Sequence, residues 1–453
     1  MVKPQSVRMK KAMPTATRLS RRRFLARTAA ATALPAIVPS SIFGDNRPSN
    51  KITVGVIGWG MQGPQNTDNF LAEKDCQVVA ACDVDKHHLK AAVDAINGQY
   101  RNQDCAAYHD YRELLARPDI DAVMIAVPDH WHALAYTEAA RRKKDIYGEK
   151  PLAKTIAEQQ AIVRAVQQNN IIWQTGSWRR SQASYRRACE IVRNGLIGKL
   201  TRVEVGLLDG HIDFIAQNDG VEPRQDASPP PPELDYELWI GPSKLLPYIQ
   251  ARGHMNWRWN YNTGGGMLMD WIGHHCDIAH WGMDCDRSGP SEIEGRGEFP
   301  PREAVFNTAT RYKIELQYPK DVHMTIAGGY DEIGEGTKWI GADGWVQTST
   351  WGGFECSHPE WAKGNDLPVD LRKVKLYESP GHVRNFLDCV KSRQPTIAPV
   401  ETAHHSVIPG HLGLIAMLTG RKLHWNVERE EILGDADAAK LLTREYRAPW
   451  KLT

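Results

Sequence analysis

Past its first 44 residues the 453-residue chain has no apolar run approaching the roughly 20 residues that cross a bilayer, which excludes an integral span there. It has no Cys-x-x-Cys pair and no dense cysteine spacing, so paired-cysteine zinc sites and a disulfide scaffold drop out, and no bound metal is expected. The eight cysteines are dispersed, several of them in apolar runs such as Val78–Cys82. Most are expected to be small buried hydrophobes, with one or two disulfides left open. No internal repeat is visible. Acidic residues are missing altogether from residues 1–44, which carry nine Lys or Arg. There Ser20-Arg21-Arg22-Arg23-Phe24-Leu25 precedes an alanine-rich apolar stretch, Ala26–Val38. That is the layout of a twin-arginine export signal, so a periplasmic or otherwise extracytoplasmic protein is expected, an uncleaved anchor being the alternative. Without those nine charges the formal net charge falls from +2 to −7, which argues against nucleic acid as a partner.

The 409 residues that follow are too many for one ordinary core and imply two domains. Lys51–Ile57 is a short apolar strand running into a glycine turn. Val78–Cys82, Asp121–Val127 and Asp145–Gly148 are further buried strands, and helical periodicity fills Ala133–Lys144 and Ile156–Asn169. Strands alternating with helices predict an α/β fold, a doubly wound parallel sheet of the Rossmann type, with ligand bound at the carboxyl ends of its strands. From about Leu200 longer alternating strands take over (Leu200–Leu208, Arg311–Tyr318, His323–Ala327) and predict a second α/β domain on a large open, mainly antiparallel sheet. The expected division is residues 1–44 signal, 45–176 dinucleotide-binding domain and 177–453 substrate-binding domain.

The glycine turn is Gly58-Trp59-Gly60-Met61-Gln62-Gly63. Its first glycine permits the tight turn, the second lets backbone approach a pyrophosphate, and the third packs helix against strand, so the phosphates lie at a helix N-terminus. Asp83, 25 residues past Gly58, stands where a carboxylate would accept the ribose hydroxyls and repel a 2′-phosphate. NAD is therefore the expected cofactor, with Lys86 nearby leaving NADP as an alternative. Farther on, Asp270 and His274 are i, i+4 on one helical face, where the carboxylate would orient the imidazole as a general base. Lys150, stiffened by Pro151, would set its ammonium beside a developing alkoxide.

Three segments, Val127-Pro128-Asp129-His130-Trp131-His132, Glu149-Lys150-Pro151-Leu152-Ala153 and Gly264-Gly265-Gly266 through Asp270 to His274, together resemble the Gfo/Idh/MocA oxidoreductase family over roughly residues 51–425. The resemblance implies a nicotinamide-dependent enzyme whose catalytic set is Lys150, Asp270 and His274, and a homo-oligomer, dimer or tetramer, formed through the open sheet. It also implies cofactor contacts from Val127, Pro128, His132, Glu149 and Arg179, with Arg180 beside the substrate. The family often has Asp-x-Gly-x-His, whereas here the glycine of Asp270-Trp271-Ile272-Gly273-His274-His275 is displaced by one position, so His275 competes with His274 for the role. Trp257, Asn260 and Tyr261, just before the triple glycine, offer aromatic and polar surface to a sugar ring. The expected substrate is a sugar, glycoside or cyclitol bearing a secondary hydroxyl. The alternatives are a redox-neutral glycosidase using the same cofactor and a non-catalytic sugar- or nucleotide-binding protein.

Overall fold

The computed structural model describes residues 51–210, 226–363 and 366–452; the twin-arginine segment lies outside the described residues. Strands β1 (Ile52–Ile57), β2 (Cys76–Cys82), β3 (Ala106–Tyr108), β4 (Ala122–Ile125), β5 (Asp145–Gly148) and β6 (Trp173–Thr175) form one parallel sheet in the order β3-β2-β1-β4-β5-β6. The four residues of β4 and of β5 are all buried, as expected for strands covered on both faces. The helices expected from periodicity are present as Asp129–Arg141 and Ile156–Asn169. The first starts four residues before its apolar repeat, because Pro128 fixes the extended residue that precedes it.

Strands β7 (Leu200–Leu207), β8 (Glu292–Glu298), β9 (Arg311–Tyr318), β10 (Val322–Gly328), β11 (Gly336–Gly341), β12 (Trp345–Thr348), β13 (Phe354–Cys356), β14 (Leu423–Asn426) and β15 (Glu431–Leu433) form the second sheet. Its order is β13-β12-β11-β7-β10-β9-β8-β14-β15, antiparallel except where β10 runs parallel to β7. In β9 alternate residues are fully buried, so one face packs and the other is left open. The packed face meets the helices Gly266–Met283 and Val400–Thr419.

The proline run at 228–232 is a surface excursion, and beyond it the chain returns to the first sheet: Lys86 N donates to Glu233 O and Asp235 N to Val84 O. The helix His382–Ser392 also packs there, its Phe386 meeting Phe70 and Tyr147 edge to face. All eight cysteines are free thiols, five of them buried, so the disulfides left open by the sequence are not formed. No helix among the described residues is long and apolar enough to cross a membrane.

Candidate active site

The glycine turn leaves β1 and enters the helix Gln62–Leu71. Gly58 has φ +93°, and a Cβ there would lie 2.4 Å from the carbonyl oxygen of Ala126; a Cβ on Gly63 would lie 2.2 Å from that of Gly58. Gly60 is different: nothing stands within 4 Å of its missing side chain. It faces a cleft of about 350 Å³, so backbone is presented to a ligand without a side chain in the way. Asp83 closes the end of β2, its carboxylate accepting the amides of Trp59 at 2.7 Å and Asp85 at 2.9 Å. An open helix N-terminus with a fixed carboxylate at the neighbouring strand end fits a dinucleotide.

Gly58, Trp59, Gly60, Met61, Gln62, Asp83, Val127, Pro128, Glu149, Lys150, Trp257 and Asp270 all line this cleft. Lys150 Nζ donates to Asp270 Oδ1 at 3.0 Å and to the Asp270 carbonyl at 2.8 Å, while Arg258 Nε reaches the same Oδ1 at 3.2 Å. Burial opposes ionisation of Asp270, but these two cations overcome it and hold the carboxyl at about 2. The stem of Lys150 crosses the Gly266–Met283 helix at Gly273, where a Cβ would lie 3.1 Å from the lysine Cβ. The displaced glycine is thus where the lysine passes.

The expected Asp270–His274 pair is not formed. Asp270 answers the two cations, and the Nδ1 of His274 has no hydrogen-bond partner. A lysine and an arginine at hydrogen-bond distance outcompete a neutral imidazole one helical turn away. Burial, with Arg179, Lys150 and His275 adding to it, pushes His274 well below the usual imidazole range, so it is neutral. His274 is half-buried, whereas His275 is fully buried, its ring stacked on Trp271 and neither nitrogen bonded. Neither histidine is among the residues that line the cleft.

Several expected contacts lie elsewhere. His132 is buried beneath the cleft, its ring nitrogens on the carbonyls of Pro151 at 2.7 Å and Val127 at 2.9 Å, so it fixes the loops that carry Lys150 and Pro128. Arg179 Nη2 donates to the Thr350 carbonyl at 2.7 Å, and Arg180 is held by Asp277 and Asp286. Asn260 donates to the Val305 carbonyl at 2.8 Å, and Tyr261 packs near Phe299. None of Arg179, Arg180, Asn260 or Tyr261 lines the cleft.

Conversely, His88, Asp129, His254 and Arg258 line it and were not singled out from sequence. Asp129 is 5% exposed, and no hydrogen bond reaches its carboxyl among the described residues. Burial and the charge of Asp270 raise it to about 7 against the pull of Arg258, Lys154 and Lys150. Because its folded value exceeds the unfolded one, the unfolded chain ionises first. Stability is therefore lost as pH rises from about 4 to about 7 and is level above that. Asp129→Asn is expected to stabilise the protein more at pH 8 than at pH 5, by a difference on the order of 2 kcal/mol in denaturant unfolding. An equal effect at both pH values would show that the carboxyl is ionised throughout.

Residues 52–177 match the model of an oxidoreductase family's NAD-binding Rossmann fold, and residues 181–452 that of the same family's C-terminal alpha/beta domain. Among curated relatives, the chain is 28% identical to a myo-inositol 2-dehydrogenase of Thermotoga maritima over 183 residues, 40% of this chain and 47% of that one. It is 33% identical to a glycosyl hydrolase family 109 protein of Shewanella sp. (strain ANA-3) over 203 residues, 40% of this chain and 43% of that one. The chain spans about half the length of the curated relatives it matches. Its fold is similar to that of an aldose-aldose oxidoreductase from Caulobacter crescentus complexed with glycerol, with TM-score 0.58 and 17% identity, covering 83% of this chain and 99% of that one.

Proposed function

Because the chain belongs to the Gfo/Idh/MocA oxidoreductase family, we propose that it is an NAD-dependent oxidoreductase acting on a secondary hydroxyl, or the matching ketone, of a sugar, glycoside or cyclitol. The observation that carries this is the placement of Lys150: its ammonium stands in the wall of the NAD cleft, tied to Asp270, its stem resting on the residue before His274. Bound in the cleft, NAD supplies the redox centre. The protein's own groups manage charge and the proton. Lys150 lowers the cost of a developing alkoxide, and His274, held neutral by burial, takes the hydroxyl proton. Asp270 holds the Lys150 ammonium in position through its carboxylate and its carbonyl. Residues 45–176 then serve as the cofactor half and 177–453 as the substrate half. The open face of the nine-stranded sheet suits a homo-oligomer, and residues 1–44 serve export to an extracytoplasmic compartment.

The likeness to a glycosyl hydrolase family 109 protein favours a second reading, a redox-neutral glycosidase with the same cofactor. Both are tested by denaturing the purified protein, identifying released nucleotide by mass spectrometry, and assaying it with sugars, cyclitols and aryl glycosides while following nicotinamide absorbance. An absorbance change with a sugar or cyclitol supports the oxidoreductase. Aglycone release without net absorbance change supports the glycosidase, and a protein that neither carries nor binds nucleotide overturns both. In the same assay Asp83→Ala is expected to weaken NAD and narrow its advantage over NADP, because the fixed negative charge at the end of β2 is lost. An unchanged preference would place the ribose elsewhere.

A further inference from the structure

Beyond Lys150 the molecule carries a group of indole rings that the cleft does not use. Trp351 is 79% exposed and Trp178 37% exposed, while Trp271, on the Gly266–Met283 helix, is half-buried. The Trp271 ring lies 6.1 Å from Trp351 and 5.3 Å from His274, and Trp178 lies 6.3 Å from His274. Trp178 and Trp271 therefore flank His274, and Trp351 flanks Trp271. An indole left this open on a monomer forfeits most of the burial that a large aromatic ring normally gains.

The platform is built. Arg179, 1% exposed, sits under two of the rings, its guanidinium carbon 5.1 Å from the Trp178 centroid and 5.5 Å from that of Trp271. The same side chain donates to the carbonyl of Thr350, the residue before Trp351, and to the Tyr185 hydroxyl at 3.1 Å. Tyr185 in turn donates to the Ser349 carbonyl at 2.8 Å, and Ser349 N donates to Gly353 O at 2.8 Å, closing the turn that bears Trp351. The loop is thus pinned at its base by a buried cation and a buried phenol. Its exposed tip is held in place rather than free to fold down.

We infer that Trp351, Trp271 and Trp178 form a carbohydrate subsite next to His274, taking a sugar ring other than the one that reacts, so that the substrate is a glycoside or short oligosaccharide rather than a single ring. This rests on the oxidoreductase reading only for the position of the reacting ring. A pyranose has one face of C–H groups that lies flat on an indole while its hydroxyls stay in water, and the exposed rings offer that apolar area, with the one cation against them, Arg179, buried beneath. Trp351 is not among the residues that line the cleft with Lys150, so a single ring seated in that cleft leaves it uncovered.

The test is tryptophan fluorescence titration of the NAD-loaded protein with a panel of α- and β-linked disaccharides, each paired with its monosaccharide, for wild type, Trp351→Ala and Trp351→Phe. At least one disaccharide is expected to bind more tightly than its monosaccharide, to weaken about tenfold in Trp351→Ala, and to be largely restored in Trp351→Phe. Monosaccharide binding and nucleotide content are expected to be unchanged. The subsite is overturned if no disaccharide gains over its monosaccharide, or if the Ala variant binds all of them as wild type does. It is also overturned if Trp351→Ala turns an oligomer into a monomer on size exclusion without altering sugar binding, since the indole is then an interface between copies. The titration reads binding without turnover, so failure of the redox assay leaves its outcome distinct.

Discussion

Replacing Lys150 by Met is expected to cut turnover by about 100-fold or more while leaving nucleotide content close to wild type, because a donor aimed at developing charge is usually worth at least ~2.7 kcal/mol. Methionine keeps the length of the stem that crosses Gly273, so packing against the helix is retained. Asp270 keeps Arg258 as a partner and stays ionised, so the variant removes a charge from the cleft wall without stranding another. The loss should fall on kcat rather than on KM, because the ammonium acts on charge that appears in the transition state. Retention of more than about a tenth of wild-type kcat would remove Lys150 from the reaction.

Arg180→Met is expected to act on the fold instead of the chemistry. Arg180 Nε donates to Asp277 at 2.8 Å and Nη2 to Asp286 at 2.7 Å, and the Arg180 and Asp277 side chains are only 2% and 1% exposed. Burial, with the charge of Asp286 adding to it, raises Asp277 to about 6 even with the guanidinium beside it. Removing the arginine leaves a carboxylate buried without a cation, a loss of roughly 3–5 kcal/mol, measurable by denaturant unfolding. Adding Asp277→Asn to that variant should recover part of the loss, since the stranded charge is gone. A stable Arg180→Met protein with altered sugar preference would return Arg180 to the substrate contacts its resemblance implied.

The two arginines show where sequence stops. Trp178-Arg179-Arg180 follows β6 directly, and its neighbourhood along the chain gives no sign that the partners are a carbonyl at Thr350 and carboxylates at Asp277 and Asp286. Asp270 and His274 show it differently. Helical spacing rightly puts them on one face, but whether they bond depends on competing groups, and those arrive from Lys150 and Arg258. Asp129 had a visible signal, lying one residue past Pro128 at a strand-to-helix junction, yet its raised carboxyl comes from burial beside Asp270, a proximity no local pattern encodes.

What the sequence determined by itself are the features whose physics is local. A buried strand running into glycines that must turn tightly and a carboxylate at the next strand end yield the Rossmann half and the NAD-binding cleft, and apolar alternation of period two yields the open sheet. Backbone sterics and periodicity act over a few residues, so they can be read in order along the chain. Only the tertiary structure decided that Lys150 rather than His274 receives the Asp270 carboxylate, that His275 is fully buried, and that the segment around residues 233–258 closes over the first sheet. Those outcomes are set by desolvation and Coulomb energy among groups far apart in the chain, and such energies depend on distances that exist only once the chain has folded.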